Sequence, residues 1–358
     1  MGKLHMHSVF NFFLSLFLIS CSVPDVRLGS LCLEMKENPV GINVMEPRFS
    51  WRIISEKKDL RQLSYQIQVG RSISALKKGK DLVWDSGAVD SDQSVLLPYK
   101  GKTLESEGVY YWRVKVTTNK GESGWSGIQR WTMTMLDNAS WTARWIGIDG
   151  TENPGENLGG PGKSSKTRLA ARYMRKEFAV DRKVDRAMLY ISGLGSSECY
   201  INGQRVSEDI FAPMPSWYPV RVYYNVYDVT SLVRKNENTI GVILGNGRYM
   251  AMRRPGMKTF GLPSLLAELH IFYKDGSSVA VVSDETWKAT SKGPIVANNE
   301  FDGEEYDARL EKEMEGWTRN GLTTADGKMR TGCQIHPVLS PHSRILISGY
   351  RTLLFRCL

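Results

Sequence analysis

The sequence predicts an all-β chain of two consecutive sandwiches, and three observations carry that expectation. Apolar residues recur with a period of two in short runs, turn signals such as Asn-Gly separate the runs, and no stretch keeps a 3.6-residue apolar period over the length a helical bundle needs. At 358 residues and 41 % hydrophobic content, the chain is long enough for two cores of ordinary size.

The first expected element is a targeting segment over residues 1–21. A single lysine precedes an apolar run from Val9 to Ile19, which is too short to span a bilayer and suits a signal peptide. The run ends in Leu18-Ile19-Ser20-Cys21, which resembles a bacterial lipobox. Cleavage there leaves Cys21 as an acylated first residue, so the expectation is an exported protein, lipid-anchored to the cell envelope at the outer membrane or cell surface. An ordinary cleaved signal with an incidental cysteine is the alternative.

Residues 22–136 read as the first sandwich. The runs Arg48 to Ile53, Ser64 to Val69, Leu82 to Gly87, Tyr110 to Val116 and Gln129 to Met135 have the spacing of strands. Tyr65, Ile67 and Val69 fall on one face, with Gln66 and Gln68 on the other, the alternation of a half-buried antiparallel sheet. The stretch YYWRVKVTTNKGESGWSGIQRW, Tyr110 to Trp131, resembles fibronectin type III-like modules, in which the comparable pieces are core and turn. Trp112 and Trp125 are therefore expected to pack rather than to bind. Residues 137–165, rich in Gly, Pro, Asn and Ser, read as a linker, with Trp141 and Trp145 pinning the two domains together at its edge.

Strand patterns resume over residues 166–316. They run through Arg172 to Val180, Arg186 to Gly195, Ser197 to Val206, Arg221 to Val233, Asn238 to Gly247, Ser264 to Tyr273 and Ser277 to Thr290. Asn202-Gly203 between two such runs is the strongest short hairpin signal in the chain. This number of strands predicts a jelly-roll-type β-sandwich.

Here the residues carry a family. Leu189 to Tyr249 resembles the N-terminal substrate-recognition β domain of bacterial α-L-rhamnosidases of glycoside hydrolase family 78, and the preceding module is similar to the fibronectin-like domain that opens many of them. Four motifs carry the match: Ile201-Asn202-Gly203, Tyr227-Asp228-Val229-Thr230, Leu244-Gly245-Asn246-Gly247, and DGEEYDARLE from Asp302 to Glu311. The resemblance covers roughly Leu33 to Trp317. Two positions depart from it: Arg248 stands where the family usually has an aromatic, and Met214-Pro215-Ser216-Trp217 where it often has Gly-Trp.

The resemblance implies inverting hydrolysis of terminal α-L-rhamnosyl groups by acidic residues on an (α/α)6 barrel that follows the β domains. Inversion needs two carboxyl groups about 6.5–9.5 Å apart, one protonating the leaving oxygen and one activating water. No stretch here has the periodicity or length for that barrel. The chain is thus expected to lack the catalytic barrel and any catalytic residue, and to be inactive alone. Asp302, Glu304, Glu305 and Asp307 are expected to anchor a loop and carry solvated charge rather than to form the catalytic pair. The implied partner is a rhamnose-containing polysaccharide or glycoside, held by an accessory, substrate-recognition portion of the enzyme. The alternative is a surface lipoprotein that binds such glycans without cleaving them.

A sugar site needs an aromatic face for the ring and amide or carboxylate partners for its hydroxyls. Trp217, Tyr218, Asn202 and Asn246 have that chemistry near expected strand ends, and form the candidate carbohydrate-binding set. Asn202 and Asn246 also read as simple turn residues beside Gly203 and Gly247, and Trp217 as a core cap. No cofactor is expected. Some related rhamnose-binding modules use calcium, but no Asp-rich loop here requires it. The five cysteines show no CxxC pair and no metal-type spacing with the five histidines. With Cys21 acylated and Cys333 and Cys357 in the tail, a Cys32–Cys199 bridge is open, and single buried thiols are the expected state.

The net charge is +9, but Thr318 to Leu358 holds six basic residues against Asp326 alone, so this tail carries +5 of it. No basic helix or basic-aromatic stripe lies upstream, and nucleic acid is not an expected partner. The tail, 317–358, also loses the family text. Codons allowed for Asn320 to Arg330, read from the third base, spell Trp-Ile-Asp-Asp-Ser-Arg-Trp-Gln-Asp-Ala, which is the text the family leads one to expect. A frameshift near Trp317–Asn320 is the expectation. A docking segment built on the apolar run Arg344 to Phe355 is the competing reading.

Overall fold

The computed structural model describes residues 26–148, 169–250, 260–321, 330–331, 334–335 and 345–348. The expected targeting segment with Cys21, and most of the expected linker, lie outside the described residues. Among the described residues no helix is long and apolar enough to cross a membrane, and the one α-helix, α1 (Ile73–Lys78), has six residues.

The first sandwich contains β1 (Arg27–Leu33), β2 (Arg48–Ile54), β3 (Gln62–Gly70), β4 (Leu82–Asp85), β5 (Val89–Asp90), β6 (Leu97–Pro98), β7 (Val109–Thr118), β8 (Gly121–Glu122) and β9 (Gln129–Thr132). One sheet has the order β1-β2-β6; the other runs β4-β3-β7-β8, with β5 on β3 and β9 on β7. Alternation in β7 buries Tyr110, Trp112, Val114 and Val116, because successive side chains of a strand point to opposite faces. Phe49 of β2 meets Trp112 with ring centroids 4.8 Å apart. Trp112 is core, as expected. Trp125 lies on the outer side, where the Arg113 guanidinium sits 4.2 Å over its ring.

The second sandwich contains β10 (Ile146–Gly147), β11 (Arg172–Val180), β12 (Val184–Leu194), β13 (Ser196–Ile201), β14 (Gln204–Arg205), β15 (Arg221–Asp228), β16 (Asn236–Gly245), β17 (Ser264–Tyr273), β18 (Ser278–Val282), β19 (Lys288–Thr290), β20 (Ile295–Asn299), β21 (Gly303–Tyr306), β22 (Arg330–Thr331), β23 (Gln334–Ile335) and β24 (Ile345–Ser348). Its inner sheet has the order β23-β10-β17-β12-β15-β24, with β18 on β17; its outer sheet runs β14-β13-β16-β11-β19-β22; and β20–β21 is a separate hairpin. Asn202 and Gly203, with φ of 52° and 83°, form the two-residue turn between β13 and β14. Both sit in the left-handed region that Asn and Gly tolerate best.

Leu189, Ile191, Leu269 and Ile271 of the inner sheet pack against Ile240, Val242 and Leu244 of the outer sheet, with Trp287 among them. The run Ser277 to Thr290 does not form one element. It leaves β17 after β18 and crosses to the other sheet as β19, at a turn in which the Asp284 carboxylate accepts from the Thr286 amide at 3.0 Å.

The cysteine expectation needs correcting. Cys199 is a free buried thiol, whereas Cys32 is disulfide-bonded. They belong to the cores of different sandwiches, so a Cys32–Cys199 bridge, which needs Cα atoms within about 7 Å, does not form.

The opposite face of the inner sheet is buried as well. Met188, Tyr190, Tyr224 and Leu266 pack there with Met135, Trp141 and Trp145, and this is where both linker tryptophans pin the domains together. Glu107 of the first sandwich reaches into the same face. Its Oε1 accepts from Tyr190 Oη at 2.8 Å and lies 2.7 Å from His270 Nδ1, while His270 Nε2 lies 2.8 Å from Glu268 Oε2. Glu268 Oε1 accepts from the Ala143 amide at 2.5 Å and from the Thr142 amide. With a carboxylate on each ring nitrogen, both must donate, so His270 is an imidazolium. Burial opposes that charge, but the hydrogen bonds to Glu107 and Glu268 outweigh it and raise the His270 pKa to about 9.

Candidate functional site

Asn202 and Asn246 flank β16, the strand that organises the outer sheet. Asn202 hydrogen-bonds across to Thr239, near its start, and Asn246 follows its end. At about 3.3 Å per residue, seven positions along a strand place the two neighbourhoods roughly 20 Å apart. Asn202 uses its amide on the Leu232 carbonyl at 2.9 Å and on Asn238 Oδ1 at 2.8 Å, and its own Oδ1 accepts from the Thr239 amide. It holds a turn. Asn246 is fully buried, accepting from Arg172 and donating to the carbonyls of Leu169 at 2.8 Å and Asn298 at 2.6 Å. It ties the β20–β21 hairpin to the sheet.

Trp217 and Tyr218 are neighbours that face opposite ways. Tyr218 is 3 % exposed, packed edge-on to Tyr249 with centroids 5.0 Å apart, and burial pushes its phenol up to about 12. Trp217 is 63 % exposed. Of the four candidates, it alone presents a ring to solvent.

The feature beside these residues is an open groove of about 850 Å3 above the end of β16. Gly245, Gly247 and Ser196 line its floor, and Asn246 lies beneath. The floor has no room for side chains: a Cβ on Gly245 would meet Asn298 Oδ1 at 2.7 Å, and one on Gly247 would meet Ser196 Oγ at 2.8 Å. The loop before β15 lines it with Ile210, Phe211 and Pro215, and the β20–β21 hairpin with Asn299, Glu300 and Glu304. Arg248 lies 3.5 Å from Glu300, an exposed pair of small energetic weight. At the other end, Glu198 accepts from Tyr200 Oη at 3.0 Å and pairs with Arg205 at 3.2 Å.

Phe211 is the residue the sequence reading passed over. It is 69 % exposed and has a φ of 55°. A bulky L side chain in that region is strained, and such strain concentrates at functional positions. Nothing in a lone Phe between Ile210 and Ala212 signals it from the sequence.

The acidic motif at 302–307 divides by role. Asp302 accepts from Asn299 Nδ2 at 2.7 Å, and Asp307 caps the 310 helix Ala308–Met314 and pairs with Arg309 at 2.6 Å. These two anchor the loop, as expected, while Glu304 and Glu305 are exposed and Glu304 lines the groove. Among the described residues no cluster of three or more His, Cys, Asp or Glu is arranged to hold a metal. Beyond the hairpin, Trp317 packs edge-on between Tyr173 and Tyr200 and covers Gly241, and Arg175 donates to the Arg319 carbonyl at 2.9 Å. Ile345–Ser348 runs parallel to β15.

Two families match the chain. Residues 28–137 match the Rha78A-like, N-terminal immunoglobulin domain, and residues 182–337 match the alpha-L-rhamnosidase N-terminal domain. An alpha-L-rhamnosidase of Formosa agariphila is 35 % identical over 340 residues, covering 93 % of this chain and 35 % of that protein. The structure of an alpha-L-rhamnosidase from Dictyoglumus thermophilum superposes with a TM-score of 0.76 at 32 % identity, over 90 % of this chain and 35 % of that one. A Streptomyces avermitilis alpha-L-rhamnosidase complexed with L-rhamnose shares the fold, with a TM-score of 0.75 at 24 % identity over 87 % of this chain and 45 % of that one. The chain thus spans between a third and a half of the length of these relatives. With both of its β domains matched in order, the chain belongs to the α-L-rhamnosidase family, glycoside hydrolase family 78, as its N-terminal immunoglobulin-like and β-sandwich region.

Proposed function

We propose that this chain is the accessory, substrate-recognition portion of an α-L-rhamnosidase, and that it holds rhamnosyl-containing glycans without hydrolysing them by itself. The observation that carries this reading is the groove over Gly245 and Gly247, open to solvent and lined by the apolar Ile210, Phe211 and Pro215 together with the carboxylates of Glu198, Glu300 and Glu304. Ligand sites are commonly concave and largely apolar, with a few placed polar groups. The matched families support the substrate class.

The test uses the purified chain on two assays: retention on a panel of rhamnose-containing and rhamnose-free glycans, and release of nitrophenol from an aryl α-L-rhamnoside. Selective retention without release is the expected result. Turnover would overturn the accessory reading, and absence of selective retention would overturn the recognition reading. We further propose export and lipid anchoring through Cys21, on the strength of the Leu-Ile-Ser-Cys sequence.

A further inference from the structure

We infer that Phe211 is the stacking platform of a single-sugar subsite in the groove, and that the subsite takes a 6-deoxyhexopyranosyl unit. This rests on the recognition reading above. Three independent features converge on Phe211. Its ring is exposed, although an apolar side chain of that size gains from burial. Its backbone is held at positive φ, a conformation that L side chains disfavour. It also lines the groove of about 850 Å3, together with the polar groups of Glu198, Asn299 and Glu304.

A pyranose presents an apolar C–H face and a rim of hydroxyls. The C–H face suits the electron-rich face of an aromatic ring. The hydroxyls need acceptors, and the carboxylates of Glu198 and Glu304 have lone pairs to spare, since each ionised carboxylate offers about four acceptor sites. The floor of Gly245 and Gly247 lets a ring sit close to the backbone. A 6-deoxy sugar replaces one hydroxyl by a methyl, and the apolar part of the lining, with Ile210 beside Phe211 and Ile243 and Ile295 beyond, suits a methyl better than a hydroxyl. The exposed Trp217 is not among the lining residues.

The experiment compares the full chain with its F211G and W217A variants by saturation-transfer NMR and calorimetry, using methyl α-L-rhamnopyranoside and its 6-hydroxylated counterpart, methyl α-L-mannopyranoside. Glycine removes the ring and also accepts positive φ freely, so F211G should fold with a Tm no lower than the unsubstituted chain. Its rhamnoside binding should be at least tenfold weaker. W217A should bind within twofold of the unsubstituted chain, and the mannoside should bind more weakly than the rhamnoside. Rhamnoside binding that survives F211G overturns the subsite while leaving the recognition reading intact. Equal or tighter mannoside binding overturns the deoxy-sugar assignment. A chain that retains no rhamnosyl glycan at all overturns both.

Discussion

Replacing His270 with glutamine should remove the pH dependence that joins the two sandwiches. The imidazolium lies between Glu107 of the first domain and Glu268 of the second, with one ring nitrogen on each. Its pKa is raised to about 9 from an ordinary 6.5, which at 1.36 kcal/mol per pH unit corresponds to roughly 3 kcal/mol. Because the folded value is the higher one, that contribution is fully present below pH 6.5 and is lost as pH rises through about 9. On the acid side, burial opposes the Glu107 charge, but its hydrogen bonds to His270 and Tyr190 hold it below the ordinary 4.5. Its share is present above 4.5 and disappears as pH falls further. Glutamine leaves two carboxylates facing a neutral amide, a change of the kind that costs about 3–5 kcal/mol in buried pairs. The assay is urea unfolding of both proteins from pH 6 to 10. The stability gap should be widest near pH 6.5 and narrow by about 3 kcal/mol toward pH 10. Parallel curves over that range would refute the charged-histidine argument.

One further prediction concerns the lipobox-like sequence. Cys21→Ser, expressed in a Gram-negative host, should move the protein from the membrane fraction to the soluble exported fraction; an unchanged membrane fraction would count against acylation at that residue.

The strands of the inner sheet were legible as apolar runs, but their cover on both sides comes from the structure. AMLYIS in β12 and LLAELHIF in β17 break strict alternation, as strands buried on both faces do. Asn202-Gly203 gave its turn away because few residues tolerate two consecutive positive φ values. The His270 cluster was not legible: Glu107 and His270 are 163 residues apart, and only packing of one domain on the other brings them together. The sugar candidates show the same limit. Residue type nominated Tyr218 and Asn246, but burial committed both to the interior. Phe211 became visible only through its backbone and its place on the groove. Sequence chemistry names what a side chain can do, and tertiary context decides which side chains are at liberty to do it.

The doubly covered inner sheet limits how this protein can be taken apart. A second sandwich expressed without Met135, Trp141 and Trp145 would lose part of the cover over Met188, Tyr190, Tyr224 and Leu266, and exposed apolar patches drive self-association. Met135 of the immunoglobulin-like unit and the linker tryptophans Trp141 and Trp145 together cover this face. Anyone grafting the groove over Gly245 and Gly247 onto another scaffold must carry the covering segments along with it.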